Sequence, residues 1–288
     1  MPDTPTLEAG KILDTLGSLR NSLTPSARRI TDCILANPAQ TARLSIAELS
    51  QEAGAGEASI IRFCRSLGFK GFQDFKLDLA IEVASLGSEE KSLLDTDVTE
   101  EDSAEIIGQK LQATINNVLS ETLNLVNFRT LETVAADLKS ARRIVIFGVG
   151  SSGITADEAK NKLMRIGFDV DALTNNHFMY MRASLLEPGD IAIGISHSGT
   201  SMETIKALTL ASEAGATTIA LTHNPMSDIA KAADKVLVNG NRQGKLQGDS
   251  IGTKISQLFV LDLLYTLLVQ ADPERAKLTK SRTTAALD

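Results

Sequence analysis

The chain has 288 residues, with 43% hydrophobic and 23% charged side chains, which is ordinary for a folded protein of about two domains. Its formal net charge of −7 argues against broad nonspecific binding to nucleic acid. No apolar run approaches the roughly 20 residues that span a bilayer, and the first residues lack the pattern of a secretion signal. Cys33 and Cys64 have neither a disulfide nor a metal-ligand spacing. We therefore expect a cytoplasmic protein with no membrane partner, metal or cofactor.

Apolar residues at helical spacing predict an all-α domain over residues 1–83. Leu13, Leu16 and Leu19 indicate a short first helix. A second helix is expected to begin at Thr24-Pro25, because threonine caps a helix and proline suits its first position. It is expected to end at Asn37-Pro38, since the residue before a proline avoids the helical conformation.

The segment from Ser45 to Gly68 predicts a helix-turn-helix. Ser45 and Glu48 have the spacing of a capping box at the start of a short helix. Gly54 and Gly56 then provide a tight turn, and a second helix follows from about Glu57 to Leu67.

The second of these helices has the outward residues of a DNA-recognition helix. Ser59 lies near its N-terminal end, which would enter the major groove. Arg62 and Arg65 fall three apart on one face, and arginine binds guanine or a phosphate through two hydrogen bonds. Lys70 and Lys76 would contact the DNA backbone. On this pattern alone, a helical bundle with solvated arginines stays an alternative.

Residues 84–104 are polar and acidic with weak periodicity, which predicts a linker. Part of the chain's negative charge is concentrated between Glu89 and Glu105. Helical spacing returns over residues 105–140.

From Arg142 onward, short β-branched runs alternate with amphipathic helices, which predicts a doubly wound parallel sheet of five strands. Ligands of such sheets bind at the carboxyl ends of the strands, where the strand order reverses. The predicted strands are 144–147, 170–173, 191–195, 217–221 and 236–238, and the predicted helices are about 153–166, 178–185, 201–214, 226–232 and 253–270.

The third predicted strand runs directly into Ser196-His197-Ser198-Gly199-Thr200-Ser201, and a helix follows at once. Hydroxyls and free backbone N–H groups at a helix N-terminus suit a phosphate. The loop has no lysine and lacks the spacing of a nucleotide P-loop, so a sugar monoester phosphate fits better than a nucleotide. A serine-rich helix cap without a ligand is the alternative.

The first predicted strand ends in Gly148-Val149-Gly150-Ser151-Ser152-Gly153, which has the spacing of a dinucleotide fingerprint. The second strand is not followed by the acidic residue that would bind a ribose, so NAD binding is not favoured. Ser151 and Ser152 instead suggest contacts to a polyol or a phosphate.

Four further residues are candidates by position. His177 follows the second strand, where the alternative is an exposed histidine that caps a helix. His197 lies within the serine-rich loop, with a side chain that could also point away. Lys254 opens the last predicted helix and could reach a phosphate, a carboxylate or a sugar hydroxyl, or be solvated. Glu203 fits a role in the charge of the helix N-terminus.

Together, the G-x-G-S-S-G and S-x-S-G-x-S motifs resemble those of the sugar isomerase (SIS) domain, over roughly residues 105–270. The resemblance implies that both loops face one phosphosugar pocket. Ser151 or Ser152 would then touch the sugar. The phosphate would be held by the hydroxyls of Ser196, Ser198 and Ser201 and by backbone N–H groups around Gly199 and Thr200.

The segment Ile60-Ile-Arg-Phe-Cys-Arg-Ser-Leu-Gly-Phe-Lys-Gly-Phe72 resembles the signature of the RpiR-family transcription regulators. These proteins join an N-terminal helix-turn-helix domain to a C-terminal SIS domain. The resemblance implies a DNA-binding domain at 1–83, a linker at 84–104 and an SIS domain at 105–288. One departure is Gly56-Glu57-Ala58, where the family often has a serine cap.

The resemblance implies that the protein regulates sugar metabolism genes under the control of a phosphosugar, and we expect it to act as a repressor. We expect no catalytic residues. Because one helix-turn-helix reads one half-site, we expect a homodimer or homotetramer on palindromic double-stranded operator DNA. Residues 105–140 and 253–270 are the expected oligomer surfaces. The alternative function is a phosphosugar isomerase with an accessory helical domain.

Overall fold

The computed structural model describes residues 11–86, 98–240 and 251–287, and the chain divides into two compact units, Met1–Asp95 and Thr96–Asp288. The predicted fold class is confirmed, because the first unit is helical and the second contains a five-stranded parallel sheet with helices. Residues 87–97 of the predicted linker, with much of its acidic run, lie outside the described residues.

The described part of the N-terminal unit is built from α-helices. The short α3 was not predicted: the Asn37 side chain accepts a hydrogen bond from the Gln40 backbone, so a new helix begins where α2 ends. The last helix continues past residue 83, where we expected the domain to end. The helices are α1 Ile12–Leu19, α2 Pro25–Ala36, α3 Pro38–Thr41, α4 Ile46–Ala53, α5 Glu57–Ser66 and α6 Phe72–Leu86.

These helices share one apolar core, to which Ile30, Leu49, Ile60 and Phe75 contribute fully buried side chains. The buried carboxylate of Glu82 on α6 accepts hydrogen bonds from the first backbone N–H groups of α1, at 2.7 Å from Ile12 and 3.0 Å from Leu13. These N–H groups have no partner within their own helix, so Glu82 fastens the start of α1 to the end of the unit.

In the second unit all pairings are parallel and the strand order is β2-β1-β3-β4-β5. The strands are β1 Arg143–Gly148, β2 Val170–Leu173, β3 Asp190–Ile195, β4 Thr217–Thr222 and β5 Lys235–Val238. The helices are α7 Ala104–Leu125, α8 Phe128–Ser140, α9 Ser151–Arg165, α10 Asn176–Ala183, α11 Met202–Glu213, α12 Asp228–Lys231, α13 Ile251–Ala271 and α14 Pro273–Ala285.

Helices cover both faces of this sheet, as a doubly wound fold requires. Ile144 and Ile146 of β1 pack into a core with α8, α9 and α13. Val145 and Phe147, which alternate with them, pack into the opposite core with α10, α11 and α12. Because strands buried on both sides read as continuous apolar runs, the strand positions were predictable from the sequence.

We expected no apolar run long enough to span a bilayer, but α13, alone among the described helices, is long and apolar enough to do so by length and composition. Its Val260, Leu261, Leu264 and Leu268 are buried in the first of these cores, which is the arrangement of a core helix. The following helix, α14, was not predicted. Ala276 is its buried residue, so there was no apolar stripe to indicate a helix.

Candidate functional site

Two loops of the second unit begin side by side at the carboxyl edge of the sheet. Gly148 at the end of β1 pairs with Ile195 at the end of β3, so the loops that follow both strands start at the same level. In the order β2-β1-β3-β4-β5, the chain reverses direction across the sheet between β1 and β3. This switch point is where parallel sheets of this order bind ligands.

The β1–α9 loop is a tight turn that places two serines at the N-terminus of α9. A side chain on Gly148 would place its Cβ 2.7 Å from the Ser152 carbonyl oxygen, so this position requires glycine. Ser151 and Ser152 are both half-buried in the first turn. The Ser152 hydroxyl accepts from Gln257 Nε2 at 3.4 Å, which ties this loop to α13.

The β3–α11 loop holds its hydroxyls in two close pairs. The hydroxyls of Ser196 and Ser201 lie 3.0 Å apart, and those of Ser198 and Thr200 lie 2.8 Å apart. Ser196 Oγ also accepts from the Gly199 backbone N–H at 3.2 Å. Ser196 is buried whereas Ser198 and Thr200 are exposed, so the loop offers one deep and one open pair of hydroxyls at the start of α11.

Gly199 is the residue that lets this loop close. Its φ is +71°, a left-handed conformation that glycine adopts without strain. A Cβ atom there would lie 2.1 Å from Ser227 Oγ and 2.2 Å from Ser227 Cβ. The loop therefore packs against the β4–α12 segment at a distance that only glycine permits.

The His197 ring contacts residues at the ends of β4 and β5. Its ring stacks on His223 with centroids 5.2 Å apart and 20° between the planes, and its Nδ1 lies 3.5 Å from Asn239 Nδ2. Burial and the neighbouring His223 lower the pKa of His197 to about 4. This histidine is therefore neutral near pH 7, and its contacts fasten the loop to the ends of β4 and β5.

His177 and Lys254 lie at the same edge of the sheet. His177 is exposed at the second residue of α10, and its backbone N–H donates to Asn175 Oδ1 at 3.1 Å and to Asn176 Oδ1 at 2.8 Å. Lys254 is half-buried in the first turn of α13, one turn before Gln257. No hydrogen bond joins either side chain to the serine loops within the described part of the chain.

Sequence reasoning missed a buried polar cluster beside this site. Asn239, Ser256 and Gln257 are fully buried, and Asn239 Nδ2 donates to Ser256 Oγ at 2.8 Å. Gln257 Oε1 accepts from Thr155 Oγ1 at 3.0 Å. The available signal was the group of polar residues Thr253, Lys254, Ser256 and Gln257 within the otherwise apolar α13.

In the N-terminal unit, α4 and α5 form the predicted helix-turn-helix. Ser45 Oγ accepts from the Glu48 backbone at 3.2 Å and Glu48 Oε2 accepts from the Ser45 backbone at 2.6 Å, so the capping box is present. Gly54 ends α4 with a φ of 57°. Gly56 precedes α5 without a side-chain cap, which leaves the first N–H groups of α5 open.

The outer face of α5 presents the predicted DNA-contacting residues. Arg62 and Arg65 are exposed, and an Arg62 Nη atom donates to Ser59 Oγ at 2.9 Å. Arg65 Nε lies 3.4 Å from the carbonyl oxygen of Lys70, whose own side chain is exposed. Lys76 is different: its Nζ donates to the carbonyl oxygens of Arg43 at 3.1 Å and Leu44 at 2.7 Å. Lys76 thus fastens α6 to the segment that precedes α4, and its expected contact to the DNA backbone stays a prediction.

Comparison with protein families agrees with both units. The model of the helix-turn-helix domain of the rpiR family matches residues 10–86, and the SIS domain model matches residues 137–267. A third model, described as a protein of unknown function (DUF592), matches residues 54–148 and adds no functional description.

Relatives extend the agreement over nearly the whole chain. An HTH-type transcriptional regulator of Haemophilus influenzae, otherwise uncharacterised, is 54% identical over 96% of each chain. The Vibrio vulnificus NanR protein, solved in complex with ManNAc-6P, is 25% identical, with a TM-score of 0.61 over 96% of this chain and 97% of that one. The sugar isomerase domain of a Sphaerobacter thermophilus RpiR transcription factor is 26% identical, with a TM-score of 0.58, over 62% of this chain and 98% of that one. The protein thus belongs to the rpiR family of helix-turn-helix transcriptional regulators, which carry a C-terminal SIS domain.

Proposed function

We propose that this protein is a cytoplasmic repressor of sugar metabolism genes whose operator affinity is set by a phosphosugar bound in the SIS domain. The observation that carries the proposal is the pair of serine loops at the β1/β3 switch point, in a chain whose other unit presents an arginine-bearing recognition helix. The DNA-binding domain, which we expected to end at residue 83, extends to the end of α6 at Leu86, and the linker joins it to α7. The part of the chain from Ala104 onward binds the effector.

The β3–α11 loop binds the phosphate of the effector. Its paired hydroxyls turn from each other to the phosphate oxygens. The Gly199 and Thr200 backbone N–H groups, which donate to the Ser196 and Ser198 hydroxyls in this structure, exchange these partners for the phosphate at the N-terminus of α11. The partial positive charge of that helix end offsets part of the phosphate charge, and Lys254 supplies a full one. Ser151, Ser152 and His177 contact the sugar.

The first candidate effectors are N-acetylhexosamine 6-phosphates. The support is the NanR protein of Vibrio vulnificus, which shares the fold over nearly the whole chain and was solved with ManNAc-6P. An amide-bearing sugar also suits the polar side chains of Asn175, Asn176 and His177 that follow β2. Ribose phosphates and a keto-deoxy-gluconate phosphate are the other candidates.

The operator is read by α5. Ser59, Arg62 and Arg65 contact base edges or phosphates of the major groove, and Lys70 contacts the DNA backbone. Two recognition helices related by a two-fold axis read a palindrome, so the active form is a homodimer or a homotetramer.

This role requires no catalysis. An isomerase needs a base of suitable pKa near the sugar carbon that loses its proton. The His197 ring is engaged by His223 and Asn239, so the isomerase alternative would have to use His177 or Glu203 as that base. Incubation with pentose and hexose phosphates tests the isomerase alternative directly. We expect no interconversion above a protein-free control, and turnover that is lost in Ser196→Ala would establish the enzyme.

The experiment that tests the effector site is a thermal-shift titration with sugar phosphates, N-acetylmannosamine 6-phosphate first. A ligand of the folded state raises the melting temperature with its concentration. Ser196→Ala removes a hydroxyl that bonds a charged group, worth about 1.5–3 kcal/mol, so the effector should bind about 10- to 150-fold more weakly. The matched control is Ser184→Ala, which removes an exposed hydroxyl that donates to Met181 O at the far end of α10. Equal effects of the two substitutions would contradict the assignment of the loop.

A further inference from the structure

The β3–α11 loop, Ser196–Ser201, is fastened to the end of β4 by hydrogen bonds of the loop backbone. The carbonyl oxygen of His197 accepts from the His223 backbone N–H at 3.0 Å and from Thr222 Oγ1 at 3.2 Å. The two imidazole rings stack in addition, and His223 Nδ1 lies 2.8 Å from the Asn239 carbonyl oxygen. If a bound phosphate displaces this loop, its contacts would therefore shift residues at the ends of both β4 and β5.

Asn239 is the residue on which these contacts converge. It is fully buried, and its Nδ2 faces Ser256 Oγ at 2.8 Å, the Gly240 carbonyl oxygen at 3.2 Å and His197 Nδ1 at 3.5 Å. Its Oδ1 has no hydrogen-bond partner among the described residues. A buried amide oxygen without a donor costs about 1–3 kcal/mol, so this arrangement of the amide is not fully satisfied.

The next residue contacts α7 directly. The Gly240 backbone N–H donates to Thr122 Oγ1 at 3.1 Å, and a Cβ on Gly240 would lie 2.8 Å from the Thr122 backbone nitrogen. Thr122 is fully buried, and its hydroxyl donates to the Val118 carbonyl oxygen at 2.6 Å. The end of β5 is thereby locked against α7 through one hydrogen bond and a close backbone approach.

We propose that Asn239 is a positioning residue that couples the Ser196–Ser201 loop to α7, through Gly240 and Thr122. The inference rests on the proposed function, because it assigns the route by which effector occupancy leaves its site. Helix α7 runs from Thr122 back to Ala104 over about 27 Å, at 1.5 Å per residue. The segment that precedes Ala104 in the chain leads to the DNA-binding unit.

Two orientations of the Asn239 amide about its terminal torsion would provide the two states that such coupling needs. Communication between sites requires an element with two discrete arrangements that both sites bias. Rotation of the Asn239 amide would turn Oδ1 toward the Ser256 hydroxyl and the His197 ring, and it would remove the donor from the Gly240 carbonyl oxygen. A loop held by phosphate and a loop without it favour different positions of His197, and hence different arrangements of Asn239, Gly240 and α7.

Two threonines of α7 provide a matched pair of variants. Thr114 and Thr122 are both buried, and each hydroxyl donates to the carbonyl oxygen four residues earlier. Thr122 additionally accepts from Gly240, which Thr114 does not. Thr114→Val and Thr122→Val therefore lose the same helix bond at the same volume, and only Thr122→Val loses the link to β5.

The test measures the factor by which N-acetylmannosamine 6-phosphate changes the operator Kd of the full chain, with the Kd of this probe alone as a second readout. We expect wild type and Thr114→Val to show the same factor within twofold. In Thr122→Val the factor should fall at least threefold toward 1, while the probe Kd stays within threefold of wild type. The same coupling factor in both variants would overturn the proposal.

Hydrogen exchange separates a failed route from a failed function, since it needs no DNA. The probe should change the exchange of amides along α7 in Thr114→Val and leave it unchanged in Thr122→Val, and equal changes would refute the route. Asn239→Ala, which removes the amide and leaves Thr122 in place, should lose the response as Thr122→Val does. A wild type that binds the probe with unaltered operator affinity would contradict the proposed function instead. If the wild type does not bind this probe, the sugar phosphate that raises its melting temperature takes the probe's place, and a wild type that binds none of the candidate sugar phosphates would contradict the effector site from which the route begins.

Discussion

Replacing Gly199 by alanine should damage the effector loop more than a comparable change elsewhere in the sheet. The left-handed backbone costs alanine about 1–2 kcal/mol. The added Cβ would also lie 2.1 Å from Ser227 Oγ, and this hydroxyl is held by a 2.6 Å bond to the Asn224 carbonyl oxygen. Forcing an atom into such a packed site costs about 1–3 kcal/mol more. The total is about 2–5 kcal/mol.

Gly189 is the matched control for this prediction. Its φ is +92°, and no atom lies within 4 Å of the position its Cβ would take, so Gly189→Ala carries the backbone cost without the collision. One kcal/mol lowers the melting temperature of a domain this size by about 2–4 °C. In thermal unfolding, Gly199→Ala should lower the melting temperature about twice as far as Gly189→Ala, and it alone should lose stabilisation by sugar phosphates. Equal losses, with effector stabilisation kept, would refute the packing of the loop against Ser227.

Three further substitutions test other parts of the account. Arg62→Ala should weaken operator binding by about 1–3 kcal/mol, or about 5- to 150-fold, in a shift assay at fixed salt. Sugar-phosphate binding should stay intact. Unchanged operator affinity would contradict the assignment of α5 as the recognition helix. Glu82→Gln should lower the free energy of unfolding of the N-terminal unit by about 1–3 kcal/mol in urea denaturation. The reason is that a carboxylate that accepts from the Ile12 and Leu13 N–H groups is replaced by a neutral amide. An unchanged urea midpoint would contradict that contact. Burial lowers the pKa of His197 from 6.5 to about 4, so the unfolded chain binds a proton first as the pH falls. Between pH 6.5 and 4, the free energy of unfolding of the wild type should therefore fall by up to about 3 kcal/mol more than that of His197→Gln. If the two free energies fall in parallel with pH, the ring is not buried.

Much of this fold could be predicted because its signals are local. The capping box at Ser45 and the glycine at position 54 define α4 and the turn without reference to the rest of the chain. Strands β1 and β3 are largely apolar runs, so their positions follow from composition, and the serine loops lie where those two runs stop. The sheet order then brings the β1–α9 and β3–α11 loops together, as the ligand rule for parallel sheets expects.

The remaining features depend on contacts between residues distant in sequence. The sequence suggests that Glu82 is a solvent-exposed acid of α6. Its actual role depends on a contact with α1, which lies 69 to 70 residues away in the chain. His197 lies in a loop that suits a ligand, but its orientation depends on His223 and Asn239, which come from two other strand ends. Likewise, the sequence could not show that Lys76 donates to carbonyl oxygens at positions 43 and 44, because these lie more than 30 residues away in the chain. Helix α14 escaped prediction because one buried alanine leaves no periodic pattern.

The proposed regulator reads DNA with its helical unit and senses a phosphosugar with its α/β unit. The most direct measurement first selects operator duplexes from a random library with the purified full chain. It then follows operator affinity at constant salt while a sugar phosphate that raises the melting temperature is titrated. We expect a saturable change in operator Kd whose midpoint matches the effector Kd and which is absent in Ser196→Ala. Operator affinity that is independent of every sugar phosphate that binds the protein would contradict it.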